Sequence, residues 1–196
     1  MERITDISQL DLTKQYTYAD YLTWWFDERV ELIKGFVRKM TPAPNMKHQL
    51  VAKLLVRKID TFLIGKKYYV FFAPFDVRLK YSKNDKEITT VVQPDICIIC
   101  DPSKLETNGC NGAPEMIIEI LSINNNKHDV VTKKKLYQDS GVLEYWIVSP
   151  FTNIIDVFLL ENHKYVLQAQ YTEEDQIEVK TLPGLVIDLK DIFEDL

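Results

Sequence analysis

Two almost wholly apolar runs, VVQPDICII at 91–99 and MIIEIL at 116–121, each carry a single carboxylate, Asp95 and Glu119. An ionised carboxyl withdrawn from water must be neutralised, paired with a cation or bound to a metal, because desolvation otherwise outweighs what burial gains. The commonplace resolution for one such acid is a strand end where backbone amides or an arginine meet it. Two acids in successive strands, followed directly by the lysine-rich stretch NNNKHDVVTKKKLYQDSG at 124–141, point instead to a site. If the two strands are neighbours, both carboxylates converge at their ends and face the first half of the following helix. Oxygen donors on adjacent strands suit a hard cation, Mg²⁺ or Mn²⁺, which keeps several waters and binds through one or two carboxylates plus a substrate phosphate. The chemistry implied is phosphodiester hydrolysis. The metal would polarise the phosphoryl oxygen and acidify a bound water, and a nearby ammonium would orient that water or stabilise the developing charge.

The ammonium comes from the helix, and helical phasing narrows the choice. Val131, Leu136 and Tyr137 define an apolar face; Lys133 and Lys134 each lie about 50° from its centre, whereas Lys135 lies roughly 150° away and faces solvent. Periodicity leaves Lys133 and Lys134 as alternatives. His48 has no second histidine at ligand spacing, so it reads as a structural or phosphate-facing residue rather than a metal ligand. Asp76 either supports the site from a neighbouring strand or pairs with Arg78. Cys97 and Cys100 spell C-x-x-C, but an odd offset in a strand points them to opposite faces, which argues against a metal site there.

The elements that must position these residues follow from pattern. YTYADYLTWWFDE at 16–28 reads as a helix capped by Thr17, and VELIKGFVRKM at 30–40 as a hairpin turning near Lys34-Gly35. After Pro42 and Pro44, MKHQLVAKLLVRKIDTFL forms an amphipathic helix whose face holds Leu50, Leu54, Leu55, Ile59, Phe62 and Leu63. YYVFFAPFDVRLKY at 68–81 is expected as one long strand, and 91–101 and 114–122 as two more, separated by a loop with Gly109 and Gly112. A helix from about Asn125 to Ser140 stops at Gly141, and further strands follow in VLEYWIVSP, IIDVFLL and HKYVLQAQY. Pro183-Gly184 marks a late turn. Tyr145 and Trp146 are expected in the core. The fold class expected is α/β (α+β): a mixed sheet with helices packed on it, in one domain spanning 1–196, because no linker or repeat interrupts the chain.

Composition excludes several classes. With 46% hydrophobic residues in 196, the chain can build a core without disulfides, and its three cysteines are expected to be reduced. No run approaches a membrane span, and MERITDISQLDLTK lacks the order of a secretion signal, so a cytoplasmic location is expected. A net charge of −5 argues against indiscriminate coating of nucleic acid, although basic clusters occur at Lys47, Lys53, Arg57 and Lys58, at Lys66 and Lys67, and through 127–135.

Pro94-Asp95, GAPEMIIEILS, the series Asp129, Lys133, Tyr137 and Gly141, and EYWIVSP together resemble the Uma-two family of restriction-endonuclease-like proteins, within the PD-(D/E)xK nuclease superfamily. The likeness extends back through ELIKGFVRKMTPAPNMKHQ and forward to LPGLVIDLKDIF, nearly the whole chain. It implies a restriction-endonuclease-like core, Asp95 and Glu119 as metal ligands, Glu31 as a further acid and Lys133 as the catalytic lysine. The superfamily lysine stands two residues after the second acid, where this chain has Leu121; the resemblance implies its migration to the next helix. The expectation is a metal-dependent DNA endonuclease using Mg²⁺ or Mn²⁺, with His48, Lys134 and Tyr137 as substrate-binding residues. A homodimer fits, since cutting both strands of a duplex favours two symmetric sites. The rivals are a catalytically silent module binding nucleic acid or protein through the same cleft, and a hydrolase of a small phosphorylated metabolite, which would need a closed pocket.

Overall fold

The computed structural model describes residues 3–40, 45–122 and 127–194. The aromatic N-terminal stretch is helical for a single turn only, α1 (Tyr18–Tyr21), where Asp20 Oδ2 accepts from the Thr17 N–H and hydroxyl, each at 2.8 Å. The helix expected over 16–28 ends there because its rings pack on one another: Trp24 touches Tyr16, Tyr21 and Phe26, and the cluster seats on the hairpin that follows. Local propensity yields to tertiary packing.

That hairpin, β1 (Val30–Ile33) and β2 (Phe36–Lys39), turns where expected, with positive φ at both Lys34 and Gly35 (52° and 86°), as a two-residue turn between twisted strands requires. Helix α2 (Met46–Leu63) is capped by Asn45, whose Oδ1 accepts from the His48 N–H at 3.0 Å. Its buried stripe is His48, Val51, Leu55, Ile59 and Leu63. The stripe is thus centred between Leu55 and Ile59, and Leu50, Leu54 and Phe62, expected on the face, flank it half-buried.

Two strands expected as continuous are broken at prolines. Residues 68–81 give β3 (Tyr69–Phe72) and β4 (Val77–Arg78), separated by Pro74 and lying in different sheets. Residues 91–99 give β5 (Val91–Val92) and β6 (Ile96–Ile99), separated by Pro94 and again in different sheets. Proline has no N–H for a ladder, so each break falls where pairing must stop. Asp95 is therefore not interior to a strand but stands at the corner between two. The loop expected around Gly109 instead forms β7 (Leu105–Glu106) and β8 (Gly109–Asn111). A Cβ on Gly109 would sit 2.1 Å from the Asp76 carbonyl oxygen, which the Cys110 N–H reaches at 2.9 Å, so only glycine permits this approach.

Strand β9 (Met116–Ile120) leads to α3 (Lys127–Ser140), which returns to β10 (Glu144–Ser149) parallel to β9, with Gly141 at φ 83° ending the helix. The expected start at Asn125, like Pro42 and Pro44, lies outside the described residues. Strands β11 (Ile154–Glu161) and β12 (Lys164–Tyr171) continue the sheet as an antiparallel pair. A small pair, β13 (Gln176–Glu178) and β14 (Val186–Asp188), and a last turn, α4 (Lys190–Phe193), follow.

The large sheet runs β12-β11-β10-β9-β6-β3 and the second sheet β2-β1-β5-β4-β8-β7. On one face of the large sheet Ile96, Ile118 and Trp146 pack with Val51, Leu55 and Ile59 of α2. On the other, Cys97, Ile117 and Tyr145 pack with Leu136 and Tyr137 of α3 and with Val77, Val92 and Cys110 of the second sheet. This is the mixed α+β arrangement expected. Cys97 and Cys100 serve opposite faces, and all three cysteines are free thiols.

Candidate active site

Strand β9 is buried on both faces except at Glu119, whose side chain keeps 13% exposure, and the structure surrounds that carboxyl with donors. Lys133 Nζ lies 3.1 Å from Glu119 Oε1 and 3.0 Å from Glu31 Oε1, and the Tyr137 hydroxyl donates to Glu119 Oε1 at 2.6 Å. Lys133 and Tyr137 stand four apart on α3 and so share a face. Glu31 arrives from β1 of the second sheet, 5% exposed, and also accepts from the Gln93 N–H at 3.0 Å. One ammonium thus ties the two sheets through two carboxylates.

Asp95 stands at the β5–β6 corner, beside the C-terminal end of β9. Its Oδ2 accepts from the Ile120 N–H at 2.7 Å, directly after Glu119, and lies 3.3 Å from His48 Nε2 on the first turn of α2. Among the described residues the His48 Nδ1 is buried without a hydrogen-bond partner. Asp95, Glu119, Lys133, His48, Gln93 and Arg29 line one cavity of about 340 Å³.

Burial pushes the Glu119 carboxyl up to about 7; the Asp95 and Glu31 charges add to the rise, while Lys133 and the Tyr137 hydrogen bond oppose it. Burial also disfavours the charge on Lys133, yet Glu119 and Glu31 outweigh it and hold the ammonium well above the usual lysine range. The Tyr137 phenol is raised by burial first and then by Glu119 and Glu31, so it stays protonated as a donor. Glu31 and Glu119 share the Lys133 ammonium and Asp95 stands beside Glu119, so hard oxygen donors converge here. That donor set fits a divalent cation. Among the described residues no group of three or more His, Cys, Asp or Glu side chains is disposed to hold a metal alone. An ion here would therefore rely on Asp95 and Glu119 with water and substrate oxygens, the manner of Mg²⁺.

Of the residues singled out in the sequence, Asp95, Glu119, Lys133, Glu31, His48 and Tyr137 come together. Lys134 does not join them: its ammonium lies 3.6 Å from the centroid of the Phe158 ring, and burial lowers its pKa. Lys135 pairs with Asp139 at 2.9 Å on the exposed side, as phasing predicts, whereas Val131 is 67% exposed and does not belong to the apolar face. Asp76 pairs with neither Arg78 nor the acids. Its Oδ1 accepts from Gln93 Nε2 at 2.9 Å and from the Tyr21 hydroxyl at 3.3 Å, while Arg78 pairs with Glu106 at 2.8 Å. Gln93 and Arg29 are members that sequence reading misses. Gln93 Oε1 accepts from Arg29 Nε and Nη2 at 3.1 and 2.8 Å across 64 residues of sequence, a pairing no local pattern encodes. Proline next to Gln93 is the one signal there, marking a break at which side chains can turn inward.

Comparison with known proteins gives two findings. A family described as "Uma2: Putative restriction endonuclease" matches residues 18–190. Among solved structures, one described as a "putative nuclease belonging to DUF820 from Anabaena variabilis ATCC 29413" superposes with a TM-score of 0.67 at 20% sequence identity, covering 91% of this chain and 98% of that one. At that identity the likeness is one of fold. No curated protein matches the chain.

Proposed function

The chain belongs to the Uma2 family, and from that premise we propose that it is a metal-dependent nuclease hydrolysing phosphodiester bonds of DNA, with Asp95 and Glu119 as the metal ligands. The observation that carries this reading is the Lys133 ammonium held between Glu31 and Glu119 at 3.0 and 3.1 Å, in the cavity that Asp95 also lines. A bound Mg²⁺ or Mn²⁺ would polarise the phosphoryl oxygen and lower the pKa of a coordinated water. The chain's own residues do the rest. An ammonium has three donors; two are committed to carboxylates, and the third serves the attacking water or a phosphoryl oxygen. Glu31 and Tyr137 fix Lys133 and Glu119 in place. The Ile120 N–H and His48 hold the Asp95 carboxylate in one orientation, so no reorganisation is needed when substrate arrives. Duplex cleavage would call for two copies, one per strand. Three free thiols favour a reducing compartment, the cytoplasm. Among the described residues no helix is long and apolar enough to cross a membrane.

The test pairs calorimetric titration of Mn²⁺ with cleavage of labelled DNA. Asp95→Asn and Glu119→Gln are each expected to weaken ion binding and to cut cleavage on the order of 100-fold or more. Ion binding unchanged in both variants would show that the ligands are misassigned. Absence of cleavage in the unsubstituted chain across metals and substrates would leave a nuclease-fold binding module.

A further inference from the structure

The cavity at the candidate site has a mixed lining. Asp95, Glu119, Lys133, His48 and Arg29 line it together with the apolar Met40, Phe72, Ala73 and Pro74. A sugar-phosphate backbone alone has no use for the apolar members of that lining. Phe72 ends β3, an edge strand of the large sheet, where it pairs with Ile96. The next N–H, that of Ala73, donates to the Asp95 carbonyl at 3.1 Å, which ties the end of β3 to the backbone of a proposed metal ligand. The Phe72 ring is nonetheless 59% exposed. A ring exposed at the rim of a charged cavity is placed to stack on a flat partner that enters it.

Arg29, which lines the same cavity, is held in a prepared position by Gln93. Both donors that it spends go to the neutral Gln93 Oε1, so the contact leaves the positive charge uncancelled. Gln93 is itself fixed by Asp76 through its amide nitrogen and by Glu31 through its backbone N–H. A guanidinium has five N–H donors, and those left over from Gln93 match a phosphate in fork geometry.

We propose that this cavity accepts an unpaired nucleotide, with its base stacked on Phe72 and its phosphate on Arg29, so that the substrate is a single strand of DNA in preference to a duplex. The proposal deepens the nuclease reading and rests on it. A base inside a duplex is already stacked and must be flipped out at a cost before it can meet Phe72, whereas a single strand offers its bases freely. About 340 Å³ is room for a group of nucleotide size. Stacking also relieves a chain of net charge −5 from having to hold substrate by many phosphate contacts. One copy of the chain suffices for one strand.

Fluorescence anisotropy in EDTA, where cleavage is blocked, tests this with a labelled oligothymidylate, the same strand in a duplex, and a strand of equal length lacking all bases. The single strand is expected to bind at least about 10-fold more tightly than either of the others. Phe72→Ala should reduce binding of the oligothymidylate to the level of the abasic strand, and Phe72→Trp should restore it. Arg29→Ala should weaken oligothymidylate and abasic strand alike. Trp25→Ala, which removes a ring 60% exposed elsewhere on the surface, should change none of these values. Equal binding of thymidylate and abasic strands, a duplex bound as tightly as the single strand, or no effect of Arg29→Ala would overturn the proposal whatever the cleavage assays give. Base preference without cleavage in any metal would instead sink the nuclease reading alone.

Discussion

Glu119 lies within β9 and Glu144 opens β10, neighbouring strands of one sheet, yet the two acids sit in opposite kinds of surroundings. Glu144 on β10 is fully buried and satisfied by neutral donors, the Trp146 indole N–H at 2.8 Å on one oxygen and the Thr181 N–H at 2.7 Å on the other. Glu119 on β9 shares its surroundings with two other carboxylates and a single ammonium, at the wall of a cavity. A buried acid closed off by dipoles is a structural joint. One left among like charges holds free energy that a cation can relieve, and so marks a site.

The largest expected effect breaks the charged arrangement directly. Lys133→Met keeps the aliphatic stem but leaves Glu31 and Glu119 facing each other without a cation, and removing one partner of a buried ion pair costs about 3 kcal/mol or more. Urea denaturation should show that loss, and DNA cleavage should fall on the order of 100-fold or more. Lys134→Met, one residue on and against Phe158, should stay within about 0.5 kcal/mol of the parent. Equal losses in the two variants would erase the distinction between them.

A second measurement sharpens the comparison through pH. The Glu119 carboxyl is raised in the folded chain to about 7 from its ordinary 4.5. Between those values the folded chain keeps a proton that the unfolded chain has released, so its contribution makes stability fall as pH rises from about 4.5 to about 7, and level beyond. Glu119→Gln should flatten that slope in urea titrations across the window. A slope unchanged by the substitution would assign it to other groups.

The smallest effect concerns the structural acid. Glu144→Gln turns one accepting oxygen into an amide that meets a donor, which should cost about 1–2 kcal/mol of stability and leave cleavage within about threefold of the parent. A folded Glu144→Gln protein with abolished cleavage would break the comparison.

The two halves of the candidate site were unequally legible in sequence. Glu119 shows as a lone carboxylate in an apolar run and helical phasing narrows the lysine to Lys133 or Lys134, signals that depend on neighbours in sequence, while the resemblance implies Lys133. Even there, the choice of Lys133 over Lys134 is made by tertiary neighbours: Glu31 takes one lysine and the Phe158 ring the other. Asp95 was found for its chemistry but set in the wrong context, inside one continuous strand, although Pro94 beside it signals the break. Arg29 and Gln93 were not found at all, because their placement depends on β1 and β5 coming together across some 60 residues. The expected N-terminal helix failed for a related reason, since its rings had partners that helical geometry could not serve.

The proline corner between β5 and β6 makes residues 91–99 a seam, stitched into the second sheet by its first half and the large sheet by its second. Acids gather along that seam, Glu31 from one sheet, Glu119 from the other and Asp95 on the seam itself. Any ligand seated in the cavity therefore grips two sheets at once and acts as a clasp, adding its binding free energy to the cohesion of the two halves. Conversely, any slip between the sheets spreads the carboxylates first, so the seam's alignment and the readiness of the site are one quantity.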